Sequence, residues 1–231
     1  MLERQETRNY IEHVDALLAE HPLDEAMALA VGGDYSTVGR LERALVLYCG
    51  LPPNGTLVDV GCGSGRAGFA LRDLPIRYVG TDVVPKLTEY AAAKCARDDW
   101  RFVVTDGISI PEPAASVDMV SFFSVFTHLR HEECWLYLCE AKRVLKEGGR
   151  ILFSFLDFGV PFHWQFFEHA VGQLGSTHPA TIFIDHGAVR AWAAHLDLSV
   201  VRIYDATEPF INDEFPFFGH SFAVLEKAMP A

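Results

Sequence analysis

The sequence predicts an α/β fold of the doubly wound kind, with a largely parallel sheet and helices on both faces. From residue 56 onward, short apolar segments alternate with segments of helical periodicity, and this alternation is typical of parallel strands joined by helices. The second observation is size. A chain of 231 residues with 50% hydrophobic content can bury one substantial core but has no room for a second full domain.

Composition excludes several classes of function. The formal net charge of −12 disfavours nucleic-acid binding, which depends on neutralising phosphates with Lys and Arg. The five cysteines are odd in number and show no zinc-ligand spacing, so we expect reduced thiols in a cytoplasmic protein and no metal. Charges throughout residues 1–20 disfavour a signal peptide, and no apolar run is long enough for a membrane span.

The N-terminal region, residues 1–50, is predicted to be a helical extension. Apolar residues at helical spacing indicate a helix over 5–20 and a short one over 23–31. After the break at residues 32–34, Ser36 or Thr37 is expected to cap a third helix.

Two roles are open for this extension. It either packs on the sheet, as apolar stripes usually do, or forms a lid over a ligand with Tyr35 and Arg40 facing the site.

The stretch at residues 58–66 predicts a ligand cradle. A buried strand over 56–60 leads into Gly61, Gly63 and Gly65, and a helix begins near residue 66. Glycines without β-carbons permit a sharp turn and close approach of a ligand to the backbone.

Glycine spacing alone leaves two cofactor classes open. Gly63, Gly65 and Gly68 satisfy the dinucleotide pattern, with Asp82 about 20 residues further on. That pattern should begin directly after the strand, however, and here the turn begins at Gly61. Asp59, inside an apolar strand, would favour a cationic ligand and repel a pyrophosphate.

Residues 58–66 resemble the first motif of the class I, seven-stranded Rossmann-like S-adenosylmethionine-dependent methyltransferases of the small-molecule type, and the resemblance extends over most of residues 40–227. It implies a seven-stranded sheet whose last strand is antiparallel, in a methyltransferase domain over residues 51–231. It also implies S-adenosylmethionine as the cofactor. The implied cofactor-binding residues are Asp59, Gly61, Cys62, Gly63, Gly65, Asp82, Val83, Asp106, Gly107, Phe123 and Ser124.

Acids follow the second and third predicted strands. Asp82 ends the strand over 76–82, where a carboxylate can accept hydrogen bonds from both ribose hydroxyls; the alternative is an N-cap for a helix over 85–95. Asp106 and Gly107 follow the strand over 100–105. The resemblance implies adenine binding there, and the alternative is an ordinary turn.

The fourth strand, residues 116–124, leads into a loop over 125–129 that contains His128. The resemblance places this loop beside the methyl donor and acceptor. Since histidine ordinarily titrates near pH 6.5, His128 is a candidate catalytic base, although a lone histidine is more often structural.

The remaining chain completes the pattern. A helix over 132–145, with a stop at 146–149, precedes the fifth strand over 150–155. The segment over 157–184 is too long for an ordinary connection between a strand and a helix, and we expect its aromatic side chains to cover the site. His163 in this segment is a second candidate base. A helix over 187–195 capped at Asp185 and strands over 198–204 and 220–226 follow. The acidic, aromatic loop over 205–219 is either a solvated connection with an aromatic plug or a contributor to the acceptor site or to an oligomer contact.

We therefore expect a methyltransferase acting on a small-molecule or glycan acceptor, with attack by an acceptor hydroxyl favoured over attack by an amine or a carboxylate. A nucleotide-dependent, NAD-type oxidoreductase and an inactive cofactor-binding homologue are the alternatives. The sequence leaves the oligomeric state open.

Overall fold

The computed structural model describes residues 5–174, 180–207 and 219–229. Its strands are β1 (Thr56–Val60), β2 (Arg77–Asp82), β3 (Arg101–Val104), β4 (Val117–Phe122), β5 (Leu145–Phe155), β6 (Leu198–Tyr204) and β7 (Ser221–Lys227). Its helices are α1 (Gln5–Glu20), α2 (Leu23–Leu29), α3 (Tyr35–Tyr48), α4 (Arg66–Leu71), α5 (Pro85–Cys95), α6 (His131–Val144), α7 (Trp164–Gly172) and α8 (His186–His195), with a 3₁₀ turn at Pro161–His163.

The seven strands form one sheet in the order β3-β2-β1-β4-β5-β7-β6. The first five strands pair in parallel, whereas β7 runs antiparallel to both β5 and β6. This confirms the predicted doubly wound sheet and its antiparallel last strand. The strand order reverses between β1 and β4, which is the position where open α/β sheets form a ligand crevice.

The two faces of the sheet bury separate hydrophobic clusters. Leu57 of β1 packs in the cluster beneath α3 and α4, while the next residue, Val58, packs in the cluster beneath α6 and α8. Successive strand side chains point to opposite faces, so a strand covered on both sides must be apolar throughout. All five residues of β1 are accordingly buried, including Asp59.

Two local predictions need correction. Asp34, not Ser36 or Thr37, caps α3, because its carboxylate accepts a hydrogen bond from the Thr37 amide. The predicted stop at 146–149 lies within β5 as an irregularity, since Leu145 already pairs with Val117 before the register shifts.

The predicted aromatic insertion over 157–184 contains the 3₁₀ turn and α7. Of the predicted loop over 205–219, residues 208–218 lie outside the described residues, as do residues 175–179 of the insertion.

All five cysteines, Cys49, Cys62, Cys95, Cys134 and Cys139, are free thiols, as predicted. In the part of the chain that the structure describes, none of the helices has the length and apolar character needed to cross a membrane.

Candidate active site

A cavity of about 420 Å³ is lined by residues from the carboxyl ends of β1, β2 and β4. Ten predicted site residues line it: Asp59, Gly61, Cys62, Gly63, Asp82, Val83, Gly107, Phe123, Ser124 and His128. Three others, Gly65, Asp106 and His163, are not among the lining residues. Residues separated by up to 69 positions in the sequence, from Asp59 to His128, thus face one space.

The glycine turn needs glycine for two reasons. Gly61 and Gly63 have φ angles of +69° and +53°, in the left-handed region that side chains disfavour. A Cβ on Gly61 would also overlap the Val125 side chain, and one on Gly63 would lie 2.5 Å from Cγ1 of Val31. The turn therefore has close neighbours from both the β4 loop and the N-terminal region.

Gly65 serves helix packing, and its contact with the cofactor stays a prediction. A Cβ there would lie 2.7 Å from Cβ of Ala91, so its absence allows α4 and α5 to approach. Asp106 is exposed and its Oδ1 accepts hydrogen bonds from the Ser109 hydroxyl and from the amides of Ile108 and Ser109. These bonds fit the turn alternative, and adenine binding by Asp106 stays a prediction.

Asp82 links β2 to the glycine turn. Its Oδ2 accepts a hydrogen bond from the Gly63 amide at 2.9 Å, and its Oδ1 accepts one from the Val84 amide at 2.9 Å. The N-cap position of α5 belongs to Val84, so the N-cap alternative for Asp82 is wrong. Burial raises the pKa of the Asp82 carboxyl, and the backbone amides oppose that rise. Because each carboxylate oxygen has two lone pairs, both oxygens retain an acceptor site for a ligand.

Asp59 lies on the cavity wall with partners that the sequence did not suggest. Its Oδ2 accepts from the Tyr78 hydroxyl at 2.7 Å and its Oδ1 from the Ser121 hydroxyl at 2.8 Å. Burial raises the pKa of Asp59 to about 7, although both hydroxyls favour the charged form. The carboxyl is therefore held in place without a bound ligand.

The loop after β4 positions His128. Ser124 has a φ of +58° and its amide donates to the Ser154 hydroxyl at 2.7 Å, while the Thr127 hydroxyl donates to the Ser124 carbonyl at 2.9 Å. The Nδ1 atom of His128 lies 2.8 Å from the Ala180 carbonyl. A carbonyl only accepts, so Nδ1 carries the proton, and in the neutral ring Nε2 carries the lone pair.

His163 is not placed to be a base. Its side chain is fully buried, with Nδ1 accepting from the Asp157 amide at 2.9 Å and Nε2 within 3.0 Å of the Gly219 carbonyl. Both ring nitrogens thus hold the backbone together beside the cavity. This corrects the prediction of a catalytic role.

Sequence reasoning missed His220, which lines the cavity just before β7. Burial, followed by the nearby His163 and His128, lowers the pKa of His220 to about 3, so the ring is neutral at physiological pH. Antiparallel pairing places the start of β7 opposite the end of β5, since Ser221 pairs with Phe155. The predicted antiparallel last strand is the signal that would have placed His220 at this edge.

The N-terminal region contributes to the cavity wall through Thr7, Tyr10, Ala30, Val31 and Gly32. The Tyr10 ring meets the His128 ring edge-on at 5.5 Å between centroids. Tyr35 reaches the glycine turn, where its hydroxyl donates to the Ser64 carbonyl at 2.9 Å.

Arg40, which was predicted to face the site together with Tyr35, is exposed and does not line the cavity. The contacts of Tyr10 and Tyr35 with the cavity are made by the extension over residues 1–50. The role of this extension as a lid stays a prediction.

Carboxyl groups outnumber cationic side chains in the cavity wall. Among the described residues, Glu42, Asp59, Asp82 and Glu133 line it with one guanidinium, that of Arg66. Arg66 Nη2 lies 2.5 Å from Glu42 Oε1 in a buried pair, and burial raises the pKa of Glu42. The remaining carboxyl groups suit a positively charged ligand better than a pyrophosphate.

Comparison with known proteins agrees with this geometry. Residues 58–153 match a family described as "Methyltransferase domain". An uncharacterized methyltransferase of Mycobacterium leprae is 31% identical over 173 residues, 73% of this chain and 61% of the relative. A demethylmenaquinone methyltransferase of Tropheryma whipplei is 28% identical over 149 residues, 60% of each chain. The chain thus spans about three fifths of the length of these curated relatives.

A solved structure with the same fold is that of magnesium protoporphyrin IX methyltransferase from Synechocystis PCC 6803 with bound S-adenosylhomocysteine, at a TM-score of 0.67 and 15% identity over 96% of this chain and 98% of that one. Together, the sheet order, the glycine turn beside Asp82 and the domain match over residues 58–153 support a class I S-adenosylmethionine-dependent methyltransferase.

Proposed function

We propose that this protein transfers a methyl group from S-adenosylmethionine to an oxygen of a small-molecule or glycan acceptor. The observation that carries the proposal is the meeting of the glycine turn, Asp82 and His128 in one cavity. The acidic composition disfavours a nucleic-acid acceptor, and we place the reaction in the cytoplasm.

The residues of the cavity fit the cofactor. Gly61 and Gly63 leave the backbone accessible, and Asp82 retains an acceptor site on each carboxylate oxygen for the ribose hydroxyls. The carboxyl-rich wall suits a sulfonium. When bound, S-adenosylmethionine supplies an activated methyl group, so orientation of the acceptor can provide much of the acceleration.

His128 is positioned to accept the proton of an acceptor hydroxyl. The hydrogen bond from Nδ1 to the Ala180 carbonyl leaves the lone pair on Nε2, and the residue lines the cavity. His220 is a weaker base, because a pKa of about 3 lies far below the pH at which it would have to take a proton. We assign His220 to orienting the acceptor.

The acceptor side of the cavity is aromatic. Phe166, His169 and Thr181 line the cavity from the segment over 157–184, and Tyr137 of α6 also lines it. Rings of this kind stack on flat or apolar acceptor surfaces, including sugar faces. This supports a covering role for the segment and an acceptor that carries a ring.

Calorimetry with S-adenosylhomocysteine and with NAD separates the proposal from the oxidoreductase alternative. We expect binding of S-adenosylhomocysteine in the micromolar range and none of NAD. Tight NAD binding without S-adenosylhomocysteine binding would replace the methyltransferase interpretation. Methyl incorporation from labelled cofactor into metabolite and glycan pools then tests activity, and its absence with intact cofactor binding would favour an inactive homologue.

A further inference from the structure

Three potential metal ligands meet beside the cavity, although no spacing in the sequence reveals them. Asp157 follows β5, His186 begins α8 and Asp205 follows β6. His186 Nε2 lies 3.1 Å from Asp157 Oδ2 and 3.2 Å from Asp205 Oδ1. The three ligand atoms all lie within 4.8 Å of one another.

Hydrogen bonding does not explain this cluster. Nε2 of His186 is shielded from solvent and makes no hydrogen bond of acceptable geometry with either carboxylate. A ring nitrogen carries at most one proton, so it cannot serve two carboxylates at once.

Within the described residues, the cluster also lacks a permanently charged cationic side chain. Neither Asp157 nor Asp205 forms an ion pair with a lysine or an arginine of the part of the chain that the structure describes. Asp157 is buried, with 6% of its surface exposed. A buried carboxylate beside a second carboxylate is costly unless a positive charge lies between them.

We propose that Asp157, His186 and Asp205 bind a divalent transition-metal cation of the zinc or manganese type. Ligands at about 2.1 Å from such a cation are about 3.0 Å apart in octahedral geometry and about 3.4 Å apart in tetrahedral geometry. The two nitrogen–oxygen distances of 3.1 and 3.2 Å fall between these values. One imidazole with two carboxylates is a donor set suited to this class of metal.

The surroundings orient the ligands and leave a route to them. Asp157 Oδ1 accepts a hydrogen bond from the Gly159 amide at 2.8 Å, which directs Oδ2 toward His186. The side chains of His186 and Asp205 are 34% and 46% exposed, so a cation can enter from solvent and keep water ligands.

The cation would tie together three segments at the acceptor side of the cavity. Asp157 directly follows Leu156, which lines the cavity, and the Leu156 carbonyl accepts a hydrogen bond from the Ile184 amide at 2.8 Å. The metal would hold the beginning and end of the covering segment against the end of β6. This role is structural and does not depend on the proposed methyl transfer.

Cobalt(II) and zinc(II) titrations of the full chain test the site. We expect one equivalent of Co²⁺ to give visible absorption bands and Zn²⁺ to displace it. Asp205→Asn should weaken Co²⁺ binding by about 100-fold or more, and its exposed position makes misfolding a poor explanation. His195→Gln, at the exposed far end of α8, is the matched control and should bind as the wild type does.

Two results would overturn the proposal: no stoichiometric Co²⁺ or Zn²⁺ binding by the wild type, or equal binding by Asp205→Asn. A His186→Gln variant provides a second measurement on the same site, and unchanged binding there would also reject it.

Discussion

Asp82 connects β2 to the glycine turn through the hydrogen bond that its Oδ2 accepts from the Gly63 amide. Its replacement by alanine should weaken S-adenosylhomocysteine binding by about 10- to 100-fold or more, because each charge-assisted hydrogen bond to ribose contributes about 1.5–3 kcal/mol. Calorimetry measures the effect, with the exposed Asp98→Ala as the control. An unchanged dissociation constant would reject ribose binding by Asp82.

At His128, asparagine distinguishes the two ring nitrogens. The amide of His128→Asn can still donate to the Ala180 carbonyl in place of Nδ1, but it offers no group at the Nε2 position. If Nε2 is the base, turnover should fall by about 10²- to 10⁴-fold while cofactor affinity changes little. A matching fall in affinity would instead mean that His128 orients the cofactor, and full turnover would remove it from the mechanism.

Asp59 makes stability depend on pH. Burial raises its pKa in the folded state to about 7 from an ordinary value near 4, so the folded chain holds a proton that the unfolded chain releases. Stability from this group is therefore full below pH 4 and is lost as pH rises to about 7, by at most about 4 kcal/mol.

An Asp59→Asn variant should gain stability relative to the wild type as pH rises from 5 to 8. Urea unfolding across this range measures the difference. Parallel curves for the two proteins would show that Asp59 is already ionised in the folded state throughout.

At the level of elements, the turn at Gly61–Gly65 packs closely against the α2–α3 connection, where Gly63 lies beside the Val31 side chain. Gly63→Ala places a Cβ about 2.5 Å from Val31 Cγ1, at a φ of +53°, so cofactor binding should weaken by about 10-fold or more. Adding Val31→Ala should restore part of the affinity by relieving the contact. Gly172→Ala, which meets no atom within 4 Å, is the control. If the second substitution restores nothing, backbone strain alone accounts for the loss.

How far the sequence predicts an element depends on how local its cause is. The buried strand Thr56–Val60 and the glycine turn follow from apolar runs and missing β-carbons, which are readable in place. The cap of α3 cannot be read from the sequence in this way. Asp34, Ser36 and Thr37 can all cap a helix, and the backbone geometry determines that Asp34 does so.

Long-range contacts are harder still to read. His163 is structural because its Nε2 lies beside the carbonyl of Gly219, which is 56 positions away in the sequence. His220 lines the cavity because it directly precedes β7. Asp106 shows the same limit on a local scale, since its own loop amides compete for the carboxylate that adenine would need.

For the whole molecule, the extension over residues 1–50 is the part whose role is most open to experiment. Thr7, Tyr10 and Val31 line the cavity, so a bound cofactor would contact α1 and the α2–α3 connection as well as the sheet. Ligand at 100 times its dissociation constant stabilises the folded state by about 2.7 kcal/mol, and hydrogen exchange reports where that stabilisation appears.

We expect S-adenosylhomocysteine to slow amide exchange in α1 and around Val31 as well as in the glycine turn. The edge strand β6 contributes no residue to the cavity wall. The exchange rates of its amides that open locally should therefore be unchanged, and β6 serves as the internal control. Protection confined to the glycine turn and the Asp82 loop would show that the extension packs on the sheet without closing over the cofactor. Protection that includes α1 would establish the extension as a lid, because amides remote from the sheet slow only if the ligand holds that helix in place.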